Sequence, residues 1–256
     1  MPQTAPPVPA PAAEQPAWLR FAAAVSTDMR DRPRVAIVID DLGLDRPRTE
    51  RVMGLPAAVT LSFLPYSDDL PQLIAAARRN GHEMIVHVPM EPIDGKIDMG
   101  PNGLATNLSH DEVVRRLDWD LARLDGYVGI NNHMGSRFTE DVQGMGWVMD
   151  VLKARGLMFL DSRTIGNSVG AKAAAAAGVP FAERDVFLDD DQHATAVEQR
   201  LKELEAIARK KGVAVAIGHP HDATIAALIG WIANLPQKNI VLVPLTEIVK
   251  AKLGIG

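Results

Sequence analysis

The sequence predicts an α/β fold built on a parallel sheet, and three features predict it. From Arg34 onward, short apolar runs rich in Val, Ile and Leu alternate with longer amphipathic stretches. Runs that are apolar on both faces are expected of parallel strands covered by helices on either side. The segments that leave those runs carry Asp, His and Asn repeatedly, as carboxyl-end loops do when they converge on a site.

Taken in order, the expected strands are 35–39, 59–64, 84–88, 127–130, 157–160, 213–217 and 240–243. Helical patterns fill 70–79, 110–124, 144–155 and 194–211. Ser109 is placed to cap the second of these, with Glu112 three residues on. Gly156 and Gly212 follow cationic helix ends, a common stop signal. The Ala-rich stretch 171–177 reads as a helix of small residues, because 179–181 resumes an apolar run. No repeat and no linker follows Pro33, so residues 34–256 are read as one domain. Residues 1–33 form a Pro/Ala-rich linker and lead-in, and 1–16 cannot pack a core. A linker at the very start leads us to expect a preceding segment, such as a membrane tether. Alternation alone leaves the sheet open or closed into a barrel.

Composition excludes several classes of function. With 27 Lys and Arg against 32 Asp and Glu, the net charge of −5 offers no footprint for nucleic acid. The basic pairs Arg78-Arg79 and Lys210-Lys211 fall late in helical patterns, where cations suit the helix dipole. Cysteine is absent, so disulfides and thiolate chemistry are excluded and any metal site must use His, Asp or Glu. No apolar run approaches the roughly 18 residues that span a bilayer, and the start lacks a signal-peptide pattern.

The chemistry lies where the strands end. The first expected strand runs into Asp40-Asp41, the third into His87 with Glu91 four residues later, and the fourth into Asn131-Asn132-His133-Met134-Gly135-Ser136. The fifth ends Asp161-Ser162-Arg163-Thr164, and 213–217 leads into Gly218-His219-Pro220-His221. A single Asp there commonly caps the next helix, and a single His commonly satisfies a hydrogen bond. Three imidazoles and two acidic ends on one face point instead to a metal site. Neighbouring strand residues face opposite ways, so Asp40 and Asp41 share a site only where the strand gives way to a turn, which Gly43 permits. One carboxylate then holds the metal while the other takes a proton from water.

These residues resemble the divergent branch of the polysaccharide deacetylases, within the NodB-like carbohydrate esterases. The resemblance rests on Ile37-Val38-Ile39-Asp40-Asp41-Leu42-Gly43, Gly81-His82-Glu83, the Asn131–Ser136 motif, Asp161-Ser162, the Arg184–Asp189 segment and Gly218-His219-Pro220-His221, and covers nearly all of 34–253. It implies a distorted (β/α) barrel of about seven parallel strands and a divalent metal, usually zinc. It implies Asp40 as general base, Asp41 as a ligand and His219 as general acid. His87 resembles the first of two metal-binding histidines four apart, but Glu91 stands where the second is expected. Asp41, His87 and His133 are therefore the preferred ligands, with Glu91 in reserve. Asp161 is read as orienting an imidazole or binding substrate. Asn132, Ser136, Ser162 and His221 are candidates for the substrate rim. The Arg184–Asp189 segment is read as an anchor for a loop under the barrel, and His82, His110 and His193 carry no chemistry.

The implied activity is removal of an acyl group, N-acetyl above all, from a carbohydrate or related envelope compound. A non-catalytic envelope scaffold or carbohydrate-binding domain is the alternative, motivated by Glu91. A metallophosphatase ranks below both, since only Arg137 and Arg163 offer cations near the site. Aromatic residues are 5% of the chain, too few for a long platform of stacked sugars, which favours a small or short substrate. The family and the linker together imply a periplasmic or other extracytoplasmic location.

Overall fold

The structure is a computed structural model that describes residues 15–25, 29 and 32–255. All but the last two residues of the 1–16 linker lie outside the described residues. The described strands are β1 (Arg34–Leu42), β2 (Thr60–Phe63), β3 (Met84–Met90), β4 (Gly129–Met134), β5 (Met158–Asp161), β6 (Phe181–Glu183), β7 (Val186–Phe187), β8 (Val213–Gly218) and β9 (Val241–Leu242). Every pairing between them is parallel.

The main path runs β6-β5-β4-β3-β2-β1-β8-β7. Its two ends are successive halves of one extended segment. The first half pairs with β5 (Leu160 with Ala182) and the second with β8 (Val186 with Ala216). That handover closes the sheet into a distorted barrel of seven staves, split at Arg184-Asp185. Backbone bonds reach the split itself, from Arg184 N to Asp161 O (3.0 Å) and from Asp185 N to Val215 O (2.8 Å), and side chains add to them. The Arg184 guanidinium donates to the carbonyls of Ser162 (2.6 Å) and Arg163 (2.7 Å), and the Asp185 carboxylate accepts from Val215 N (2.9 Å).

Two sequence expectations are corrected here. The 240–243 run supplies no stave, since β9 pairs only with Arg34 and Val35. The segment 181–187 takes that place, so Val186 and Phe187 belong to the wall and not to a loop beneath it. Two charged residues interrupt this strand and hide its period from the sequence.

Strand alternation sorts the side chains into two sets. Val35, Ile37 and Ile39 face outward with Val86, Ile130 and Phe159, into the core shared with the surrounding helices. Those helices are α1 (Ala17–Arg20), α2 (Arg46–Val52), α3 (Leu70–Arg79), α4 (His110–Leu121), α5 (Val142–Arg155), α6 (Gly170–Ala177), α7 (Ala194–Lys211), α8 (Asp222–Ala233) and α9 (Leu235–Lys238). Ala36, Val38, Ile85, Met158, Leu160, Val215 and Ile217 face inward and fill the barrel.

The amino-end mouth is plugged by α10 (Leu245–Leu253), whose Leu245, Ile248 and Val249 join the interior cluster. Glu83, buried beneath it, accepts from Thr246 N (3.1 Å), the Thr246 hydroxyl, Thr60 Oγ1 (3.3 Å) and Ala23 N (3.4 Å). Burial raises its pKa, and these neutral donors offset part of that rise. The lead-in also packs on the barrel: Ala17–Arg20 form one helical turn, with Trp18 buried and its N–H bonded to Gly156 O. Among the described residues, no helix is long and apolar enough to cross a membrane.

Candidate active site

The inward alternation continues to the carboxyl ends of the strands, where apolar side chains give way to polar ones. Asp40 follows Ala36 and Val38, His87 follows Ile85, Ser162 follows Met158 and Leu160, and His219 follows Val215 and Ile217. On β4 the inward positions are Asn131 and His133. His87 and Asn131 are register partners on adjacent strands, which places their side chains together.

Asp41 would point outward by alternation, but the chain breaks the rule there. Its φ is +57°, and the register of β1 against β2 shifts between Ile39 and Leu42. This irregularity turns Asp41 back toward the barrel axis, as bulges beside active sites do. Asp accepts the left-handed conformation more readily than most residues. The turn expected at Gly43 therefore begins two residues earlier. Gly43 is still required, since its φ is +109° and an added Cβ would lie 2.3 Å from Ser67 Oγ.

Asp41, His87 and His133 converge. Asp41 Oδ1 lies 3.0 Å from His133 Nδ1 and 3.3 Å from His87 Nε2, and the two ring nitrogens are 3.1 Å apart. A tetrahedral ion with ligand distances of about 2.0–2.1 Å sets its donors about 3.3–3.4 Å apart. The triangle needs to open only slightly to hold one. Asp41 Oδ1 is also buried without a well-aligned hydrogen bond, as an oxygen reserved for a cation would be. Burial alone would raise the Asp41 pKa, but the two imidazoles outweigh it and hold the group far below the usual carboxylate range. The residues present fit a zinc-like ion of two nitrogen donors and one oxygen.

Asn131 fixes this geometry. Its amide nitrogen donates to both Asp40 oxygens (2.9 and 3.0 Å), which can only accept. Its carbonyl oxygen then faces Ser62 Oγ (2.7 Å) and His87 Nδ1 (2.9 Å). His87 therefore carries a proton on Nδ1, so Nε2, turned toward Asp41 and His133, is the nitrogen that would bind an ion. Burial works to lower the His87 pKa, but Asp40 and Asp41 outweigh it and raise it on balance. One side chain thus aims the base and sets the tautomer of a ligand.

His219 stands across the site, with Nε2 3.9 Å from Asp41 Oδ2 and Nδ1 bonded to Asp189 Oδ1 at 3.0 Å. Burial, the largest single influence, pulls its pKa down. The Asp189 bond and the charges of Asp40, Asp189 and Asp41 outweigh that and lift it to about 9. Burial likewise works to raise Asp189, but its bonds to His219 and Thr224 lower it on balance. Phe187 packs edge-on against the His219 ring at 5.4 Å, and the Arg184 guanidinium lies over Phe187 at 4.8 Å. Asp40, His87, His133, Ser162, Arg184 and His219 line a cavity of about 350 Å³.

Other expected residues fall elsewhere. Asp161 reaches no imidazole: alternation puts it on the outer face with Phe159, and it accepts from Arg163 N (2.8 Å) and Ser168 Oγ (2.7 Å). Asp189 is the carboxylate that orients His219. Glu91 is held by Thr106 N (2.7 Å) and Thr106 Oγ1 (2.8 Å), near Arg137, and does not join the donor triangle. Ser136 Oγ accepts from Ile93 N and clamps the loop after β3. Asn132 lines the cavity but is tied down, donating to Met134 O and accepting from Ser162 N. Ser162 lines the cavity and accepts from Asn131. His221 stands beside His219 at the start of α8. Asn131, Asp189 and Arg184 are the residues the sequence reading passed over. Asn131 was recoverable, since it lies two residues before His133 on the same face; Arg184 and Asp189 bound the segment that the resemblance includes, but that segment was read as a loop anchor and not as part of the site.

A sequence profile described as divergent polysaccharide deacetylase matches residues 37–249. The chain belongs to that family. It is 40% identical over 204 residues to the uncharacterized protein YibQ of Escherichia coli K12, an alignment covering 79% of this chain. The chain spans 63% of that relative, less than two thirds of its length. It is also similar to the crystal structure of the uncharacterized protein ATU2773 of Agrobacterium tumefaciens C58. That similarity has a TM-score of 0.88 at 29% identity, over 91% of this chain and 95% of the other. A CE4 family pseudoenzyme from Bacillus anthracis, BA3943, shares the fold alone, with a TM-score of 0.53 at 14% identity over 86% of this chain and 66% of the other.

Proposed function

We propose that this chain is a metal-dependent hydrolase that removes an acyl group, N-acetyl above all, from an amino sugar or a related envelope compound. The observation that carries this reading is the triangle of Asp41, His87 and His133 donors beside a separately held carboxylate, Asp40, and an imidazole, His219. A divalent ion held by the three donors would polarise the acyl carbonyl and acidify water.

The chain's own groups do the rest. Asp40, fixed by both hydrogen bonds from Asn131, accepts the proton of the attacking water. His219, kept protonated at neutral pH by Asp189 and its acidic surroundings, delivers a proton from Nε2 to the leaving nitrogen. Asp189 holds the ring so that Nε2 faces the cavity. A cavity of about 350 Å³ suits one sugar unit and its acyl group better than a long polymer.

The test is acetate release from short N-acetylated amino-sugar oligomers by the zinc-loaded chain. The expected result is turnover that a chelator abolishes and added zinc restores. A zinc-replete, folded chain that releases no acetate from any such oligomer would refute the reading and leave a binding domain on the same barrel.

A further inference from the structure

His221 takes no part in the chemistry above, yet the chain holds it in a defined place. Its backbone N–H donates to His219 O at 2.8 Å across Pro220, a three-residue turn that folds both imidazoles to one side. The ring centroids are 6.0 Å apart, with the planes inclined by 40°. Among the described residues, the His221 ring makes no hydrogen bond. Asp189 faces the pair. Its Oδ2 is fixed by His219 N (2.6 Å) and Thr224 Oγ1 (2.8 Å), which leaves Oδ1 turned toward the His219 ring. One donor atom from each of Asp189, His219 and His221 lies within 4.8 Å of the other two. This group shares no residue with the Asp41, His87 and His133 triangle.

We propose that Asp189, His219 and His221 form a second, weaker divalent-cation site, whose occupation disables the proton donor. Its inhibitory consequence rests on the acid role given to His219 above; the binding itself does not. An ion on His219 Nδ1 replaces the proton now shared with Asp189, and that proton leaves to solvent. The ring keeps its Nε2 proton but is no longer an imidazolium, so it becomes too weak an acid for a leaving amine. Two imidazoles and one carboxylate select zinc, cobalt or nickel over magnesium or calcium. The site is the weaker of the two for a structural reason: the ion must displace the Asp189–His219 hydrogen bond, and His221 must swing inward. Binding is therefore expected at about 10–100-fold higher free zinc than at the first site.

The test is equilibrium dialysis of the full chain against zinc chloride alone. Wild type is expected to bind one ion tightly and a second in the weaker class, while His221→Phe and His221→Gln bind only the tight one. Asp41→Asn should lose the tight class and keep the weak one, so the two sites fail separately. His110→Ala and His193→Ala serve as controls, because each of these exposed histidines sits beside an aspartate. Both should keep the weak class. Excess zinc should inhibit wild type, and inhibit His221→Phe far less relative to that variant's own starting rate. Saturation of wild type at one ion, or retention of the weak class in folded His221→Phe and His221→Gln, would overturn the proposal.

Discussion

The two ends of this barrel treat buried acids in opposite ways. At the amino end, Glu83 lies beneath α10 and accepts from hydroxyls and backbone N–H groups alone. Its surroundings are neutral and burial raises its pKa. At the carboxyl end, Asp41 and Asp189 face imidazoles, and both are driven downward despite burial. One end ties the plug to the barrel, and the other keeps negative charge available beside an open cavity. A buried acid among neutral donors is a structural fastening; a buried acid among imidazoles can work on a cation or a proton.

Substitutions sharpen that contrast, and the largest effect is expected at the donor triangle. Asp41→Asn replaces the central anionic ligand with a neutral amide, so tight zinc should be lost and acetate release should fall roughly a thousandfold or more. Elemental analysis and initial rates check this, and retained metal would break the comparison. Asp40→Asn should separate proton transfer from metal binding. Turnover should drop about 10²–10⁴-fold, while the zinc content of the purified variant stays at the wild-type level.

Asp189→Asn should act more moderately, by about 10–100-fold, and should change the pH profile. The His219 pKa is held up at about 9, with Asp189, Asp40 and Asp41 as its acidic neighbours. A general acid must be protonated, so activity falls as pH rises through its pKa. Removing the Asp189 charge lowers that pKa, and the alkaline limb should move to lower pH than in wild type under the same metal loading. An unmoved limb would detach Asp189 from the acid.

The smallest functional effect is expected at the other end. Thr246→Val removes a hydroxyl that donates to Glu83, at a cost of about 1–3 kcal/mol in stability. Thermal melts should show the loss, with zinc content and turnover unchanged. A change in either would show that the plug and the site are coupled.

Much of this contrast was legible in the sequence at one end only. Near-continuous apolar runs revealed most staves, and the polar residues that follow them marked the functional face. Asp40, Asp41, His87, His133 and His219 stand together because inward alternation carries four of them there and one bulge carries the fifth. Asp161 misled because its position after a strand looks the same whichever way it points; counting back to Leu160 and Met158 puts it outside. The split strand 181–187 stayed hidden because Arg184 and Asp185, which supplement the backbone bonds there with their side chains, look like a loop. The plug was illegible, since nothing in 245–253 says that this helix turns beneath the barrel.

The most direct measurement is the zinc content of the wild-type chain and of His133→Ala after equilibration with zinc and removal of loosely held ions. One tightly held ion per wild-type chain, and none in a folded His133→Ala chain, is the predicted result. A folded His133→Ala protein that keeps its tight ion, or a wild-type chain that never holds one, would contradict it.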